Sequence, residues 1–137
     1  MHIAAQEGYK TIVKLHIEEG ADIEEKSKDG QTALHPAAKE GRETVVKLLI
    51  EKGADAAAKN NNGWTALHTA AQSGHEEVVK LLIEKRGVVA ARNNGGWTAL
   101  HATTQNGHQK AIELLIEKKT DVALKDNVEI TSNRVVI

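Results

Sequence analysis

The chain of 137 residues has no cysteine, no phenylalanine, one proline, one tyrosine and two tryptophans. The missing cysteine excludes disulfides and thiolate metal sites. With almost no aromatic residues, any core must be assembled from Leu, Ile, Val and Ala. Such small side chains suit thin, closely stacked layers better than one bulky centre. The single proline excludes a Pro-rich linker. An excess of one charge is missing too: 18 Lys+Arg face 19 Asp+Glu, a formal net charge of −1. That balance gives no electrostatic reason to expect nucleic acid, which calls for a basic face, or attachment to an acidic lipid surface. No apolar run approaches the roughly 18–20 residues of a membrane span. The N-terminus lacks the basic start and apolar stretch of a secretory signal. The expected compartment is the default one, intracellular and cytoplasmic.

What the sequence does have is a period. His2, His35, His68 and His101 are each 33 residues apart, and so are Gly8, Gly41, Gly74 and Gly107. Gly30, Gly63 and Gly96 keep the same step, as do Trp64 and Trp97. Segments 27–59 and 60–92 share 19 identities in 33 positions, which chance does not produce.

Each unit reads as a turn, a short helix, a tight turn, a longer helix and an extended tip. In the second unit Asp29-Gly30 is a turn signal, and Thr32 stands where a helix N-cap belongs. Ala33-Leu34-His35 opens a short helix with Leu34, Ala37 and Ala38 on its apolar stripe, and Gly41 breaks it. A second helix follows, with Val45, Val46, Leu48, Leu49 and Ile50 at helical spacing. Glu43 with Lys47, and Glu76 with Lys80, are expected to form i,i+4 pairs. Gly53 stands where a left-handed C-terminal residue is wanted. The paired alanines let the short helix lie close to its neighbours. No unit can bury its apolar stripe alone, so stacking is required.

These motifs resemble the ankyrin repeat. Thr32-Ala33-Leu34-His35, Thr65-Ala66-Leu67-His68 and Thr98-Ala99-Leu100-His101 are similar to the family's T-P-L-H signature. Gly20-Ala21-Asp22 and Gly53-Ala54-Asp55 match as well, and the likeness runs from residue 2 to about 125. The resemblance implies an all-α repeat solenoid of antiparallel helix pairs, with β-hairpin turns projecting from it. It implies a single domain, 1–137, with repeats at 1–26 (cut within the signature), 27–59, 60–92 and 93–125. Residues 126–137 are expected to form a degenerate, solvent-facing cap, since Glu129, Asn133 and Arg134 replace the pattern's Gly, Leu and His. It also implies a concave surface of hairpin tips and first helices that binds partner proteins, with no catalytic activity and no cofactor.

Departures from the pattern are informative. Every signature proline is alanine, and Pro36 instead falls deeper in its helix, where it removes an N–H at a cost of at most ~3 kcal/mol. Arg86-Gly87-Val88 delays the glycine by one residue, which predicts a distorted or lengthened second helix. Lys119-Thr120-Asp121 lacks the glycine. Thr103-Thr104 replaces the alanine pair, and His16 replaces a core leucine. Such irregularities fit a natural sequence, or one derived from it, rather than a purely consensus array.

Seven histidines raise the question of metal. The resemblance assigns His2, His35, His68 and His101 to hydrogen bonds within and between units. His75 and His108 read as starters of the second helices. Their spacing from the signature histidine is seven residues across a turn, not that of a helical ligand pair, and no HExxH is present. Asn93-Asn94-Gly95-Gly96 is a turn in register with two others, not a phosphate-binding loop. No serine has a base at a defensible spacing. The expected metal, cofactor and catalytic sets are therefore empty.

The candidate partner-binding residues are those that the resemblance places on the concave face. They are Lys28, Asp29, Gln31, Lys39 and Glu40 in the second unit. In the third they are Asn61, Asn62, Trp64, Gln72 and Ser73, and in the fourth Asn94, Trp97, Gln105 and Asn106. Trp64 and Trp97 stand out because Trp buries much area with little rotamer entropy; stacking along the hairpins is the structural alternative. The face is mixed-charge at one end and amide-rich with two indoles at the other, which suits a protein or peptide. The expected function is a protein-interaction module, with weak end-to-end self-association as a second expectation. The alternative is a spacer array or an engineered scaffold without a ligand of its own.

Overall fold

The computed structural model describes residues 1–84 and 88–126, with side chains through Lys118. Eight helices are found there: α1 (His2–Glu7), α2 (Lys10–Glu18), α3 (Leu34–Lys39), α4 (Glu43–Glu51), α5 (Ala66–Ser73), α6 (Glu76–Ile83), α7 (Ala99–Asn106) and α8 (Gln109–Asp126). No strand occurs among the described residues. The odd-numbered helices pack on one another in order to form one layer, and the even-numbered helices form a second layer against it. Within each pair the two helices also touch. The array is all-α, and its main helix packing runs within units and between neighbouring ones.

The alanine pairs explain the first layer. Ala37, Ala38, Ala70 and Ala71 are fully buried, so backbones approach closely. Leu34, Leu49, Leu67, Leu82 and Leu115, with Val13, Val45, Val46, Val78 and Val79, fill the space between the layers. The tight turns after α1, α5 and α7 are closed by Gly8, Gly74 and Gly107 at φ 79°, 76° and 70°, a left-handed conformation that glycine adopts without strain.

Pro36 shifts its helix. In α5 the Thr65 hydroxyl accepts the His68 N–H, and Thr69 N–H reaches Thr65 O at 3.3 Å. Pro36 occupies the position of Thr69 one unit earlier and has no N–H to donate. The first helical bond of α3 is therefore Ala37 N–H to Ala33 O, at 3.3 Å. Ala33, not the expected Thr32, is the N-cap. Putting the start one residue later places Pro36 among the first-turn positions whose N–H groups have no intrahelical partner anyway.

The missing glycine at Lys119 has a matching consequence. α4 ends at Glu51, just before Gly53 at φ 93°. α8 meets no such residue and continues to Asp126, 18 residues in all. The expected distortion at Arg86-Gly87 falls on residues 85–87, outside those described; α6 itself is not lengthened and stops at Ile83. Of the expected cap at residues 126–137, Asp126 ends α8 and residues 127–137 also lie outside those described. Of the expected i,i+4 ion pairs neither forms. Among the described residues the one ion pair is Lys80 with Glu77, three residues apart at 3.4 Å, where exposed groups contribute little. Thr103 is buried where an alanine was expected, and its hydroxyl donates back to Leu100 O at 2.7 Å, so no polar group is orphaned.

Candidate partner-binding face

Each unit is fastened to the next by groups that recur every 33 residues. Thr32 N–H and Thr65 N–H donate to Nδ1 of His35 and His68, at 3.1 and 3.2 Å. With Nδ1 accepting, the proton must sit on Nε2. The Nε2–H groups then donate across the unit boundary, His2 to Gln31 O (2.8 Å), His35 to Trp64 O (2.9 Å) and His68 to Trp97 O (2.7 Å). His2, His35 and His68 thus bind the following unit's turn. Burial holds His35 and His68 below the ordinary imidazole value of 6.5, outweighing the backbone hydrogen bonds that raise them; Lys26 and Lys59 add to the depression.

A second row runs backward. His75 Nε2–H donates to Lys39 O at 2.8 Å, His108 to Gln72 O at 2.9 Å, and Arg42 Nε–H to Gln6 O at 2.9 Å. Glycine makes this row possible. A Cβ on Gly74 would lie 2.6 Å from Nδ1 of His108. His75 and His108 do sit at the starts of the second helices, but their rings serve the preceding unit. Sequence reasoning missed that role; the shared step of Gly41 with Gly74 and of His75 with His108 was the available signal.

The turns are linked as well. Asn60 N–H and Asn93 N–H close their turns on Trp64 O (2.9 Å) and Trp97 O (2.8 Å). Asn61 Nδ2–H donates to Lys28 O at 2.9 Å, and Asn94 Nδ2–H to Asn61 O at 3.0 Å. Backbone bonds from Asn61 to Asp29 O and from Asn94 to Asn62 O run beside them. Lys26 and Lys59 extend the ties through Lys59 O and Arg92 O. These are hairpin-like turns stitched side by side.

All the expected site residues fall into two rows. Lys28, Asp29, Gln31, Asn61, Asn62, Trp64, Asn94 and Trp97 lie in the turns or just after them. Lys39, Glu40, Gln72, Ser73, Gln105 and Asn106 lie at the C-terminal ends of α3, α5 and α7. The hydrogen bonds then divide the set. Asn61, Asn94 and Asn106 have their side-chain amides engaged between units, the last to Gln72 O at 3.3 Å. Asn62, Gln72, Ser73 and Gln105 are exposed, and their side chains make no hydrogen bond among the described residues. Lys28, Asp29, Lys39 and Glu40 are exposed and unpaired there in the same way.

Trp64 and Trp97 are half-buried. Each indole lies over the signature histidine of its own unit, Trp64 at 5.5 Å and 49° from His68, Trp97 at 5.9 Å and 26° from His101. One side of each ring is thus supported by an imidazole. Neither indole N–H has a protein partner among the described residues, and no buried polar side-chain atom there is left unsatisfied. The two donors therefore open to solvent.

The family model described as ankyrin repeats (3 copies) matches residues 1–94 and, again, 53–126. The chain belongs to the ankyrin-repeat family. Ankyrin repeats are in general protein-interaction modules and typically lack enzymatic activity. No curated protein matches the chain. Among the described residues of this ankyrin array, no group of three or more His, Asp or Glu side chains is placed to hold a metal ion. No helix there is long and apolar enough to cross a membrane. A shallow depression of about 280 Å³ around His75, lined by Gly41, Glu43, Gly74, Glu76, Glu77 and Val78, is open and polar. That is smaller than most ligand pockets.

Proposed function

We propose that this ankyrin array binds a partner protein through the face made by its turns and the ends of its first helices, centred on Trp64 and Trp97. One observation carries the reading. On a face whose Asn61, Asn94 and Asn106 amides are engaged in holding the stack together, the indole N–H groups of Trp64 and Trp97 and the side chains of Asn62, Gln72 and Gln105 remain unengaged. The backbone under them is tied at every unit boundary, and each indole rests on an imidazole. Such a platform loses little freedom on binding, so more of the contact energy appears as affinity. Trp supplies the kind of anchor that dominates interface energetics.

The test is affinity capture with the wild-type array and a Trp64→Ala/Trp97→Ala variant, each confirmed folded by circular dichroism. The reading predicts a partner retained by the wild type and lost by the variant. Equal recovery of every bound protein removes this face from the interface.

A second reading is favoured by the first unit. Ile12 and Leu15 are 44% and 52% exposed, whereas Val45 and Leu48, their equivalents one unit on, are 0% and 5% exposed. Ile3, on the first helix of the same unit, is 76% exposed. This apolar end would support end-to-end association of a spacer array. Light scattering across a concentration series tests it; a strict monomer at high concentration rejects it.

A further inference from the structure

We infer that the partner segment read by Trp64 and Trp97 is an uncharged polyproline II stretch with proline at every third residue, laid along the stack. The inference rests on the partner-binding reading above and names the chemistry of what that face takes.

The argument is one of period. Trp64 and Trp97 occupy the same place in successive units, as do Gln72 and Gln105. Successive units are joined by direct bonds, such as His68 to Trp97 O at 2.7 Å, and by packed helices. Helices in contact lie about 8–10 Å apart, which sets the step between the two indoles. A ligand that meets both in the same way must repeat at that step and show the same side each time.

Three backbone conformations can be compared. A polyproline II helix has three residues per turn at about 3.1 Å rise, so it returns to the same face after about 9 Å. A β-strand covers a similar length in three residues, but its faces alternate with a period of two, so every third residue turns away. An α-helix shows the same face again after two turns, seven residues or about 10.5 Å, but its carbonyls are already engaged internally and are poorer acceptors for an indole N–H. The polyproline II carbonyls carry no internal hydrogen bonds. Only that conformation offers both the step and a free acceptor to each of the two open N–H donors.

The surroundings agree with the chemistry. A half-buried indole backed by His68 or His101 is a flat apolar shelf against which a pyrrolidine ring packs. Asn62, Gln72, Ser73 and Gln105 are uncharged and unengaged, so they can bond to further backbone groups and carry no charge that calls for an ionic ligand.

The test uses two blocked twelve-residue peptides of identical composition, (Ala-Ala-Pro)4 and a permuted form in which no two prolines are three apart. Trp64 and Trp97 are the only tryptophans, so intrinsic emission reports on the site directly. The expected result is an emission change with the regular peptide and affinity about ten-fold above the permuted one. A fluorescent-labelled regular peptide then titrates Trp64→Phe and Trp97→Phe, which keep an aromatic ring and lose the donor. Each is expected to weaken binding about ten-fold, at an unchanged circular dichroism spectrum. Equal affinity for the two peptides, or no binding by either, overturns the inference. Should the peptides fail while the Trp64→Ala/Trp97→Ala variant still loses the captured partner, the interaction face stands and its polyproline II specificity falls. Should that variant keep every partner, the face itself falls.

Discussion

Nε2 of His68 lies 2.7 Å from the carbonyl oxygen of Trp97, so a buried imidazole in one unit holds the turn that carries an indole in the next. The same side chain receives Thr65 N–H on Nδ1 at 3.2 Å, and Trp64 leans over its ring at 5.5 Å. One histidine thus fixes its own helix start, the neighbouring turn and the backing of an aromatic shelf.

That arrangement requires the neutral ring and makes stability depend on pH. Burial lowers His35 and His68 below 6.5 in the folded chain, while the unfolded chain keeps the ordinary value. As pH falls the unfolded state takes up protons first, so stability is fully present above about 6.5 and is lost through the lower folded values. Urea unfolding at a series of pH values from 8 to 5 should show the midpoint falling in that window. Imidazole titrations by NMR should place both midpoints below 6.5. A midpoint of unfolding that is flat across the window contradicts this.

Gly74 and Gly107 separate backbone strain from packing between units. Both have positive φ, 76° and 70°, so alanine at either costs roughly 1–2 kcal/mol in the left-handed region. Only at Gly74 would the new Cβ also meet His108, at 2.6 Å, whereas no described atom lies within 4 Å at Gly107. Gly74→Ala should therefore destabilise by about 1 kcal/mol or more beyond Gly107→Ala. The excess should be absent when Gly74→Ala is introduced into a His108→Ala background, whose own lost bond to Gln72 O the cycle subtracts, measured by thermal and urea unfolding of the five proteins. Equal effects of the two glycine variants would show that the backward histidine contact is slack.

Pro36 and Thr32 should be thermodynamically coupled. In the wild type Thr32 is not the cap of α3, because Pro36 cannot donate to its carbonyl. Pro36→Ala restores the donor and should let the helix begin as α5 does. Thr32→Ala should then cost about 1 kcal/mol more in the Pro36→Ala background than in the wild type, the usual worth of an N-cap. A double-mutant cycle by urea unfolding measures the difference, and zero coupling contradicts the account.

Much of the fold was legible because its physics is local and repeated. The alanine pairs, the turn glycines and the apolar spacing of α4 and α6 each specify one unit, and the 33-residue period repeats the specification. Where the structure departs from the sequence reading, one residue decides. Pro36 moves a helix start, and the absence of glycine at Lys119 lets α8 run to Asp126. The expected Glu43–Lys47 and Glu76–Lys80 pairs do not form, since exposed long side chains are not held in one geometry by a weak attraction. The candidate site was legible only in part. Its two rows followed from the resemblance, but the resemblance could not show which amides hold the stack. Asn61 and Asn62 are adjacent and chemically identical, and only their surroundings make the first a tie and the second a free group.

The most direct measurement is an NMR titration of the array with its captured partner, following the two indole Nε1–H resonances. Trp64 and Trp97 each give one such signal, and no other residue can. Both signals are expected to shift and to become protected from exchange with solvent as the complex forms. A complex that forms while both signals stay in place and exchange as before would contradict the claim that this face is the interface.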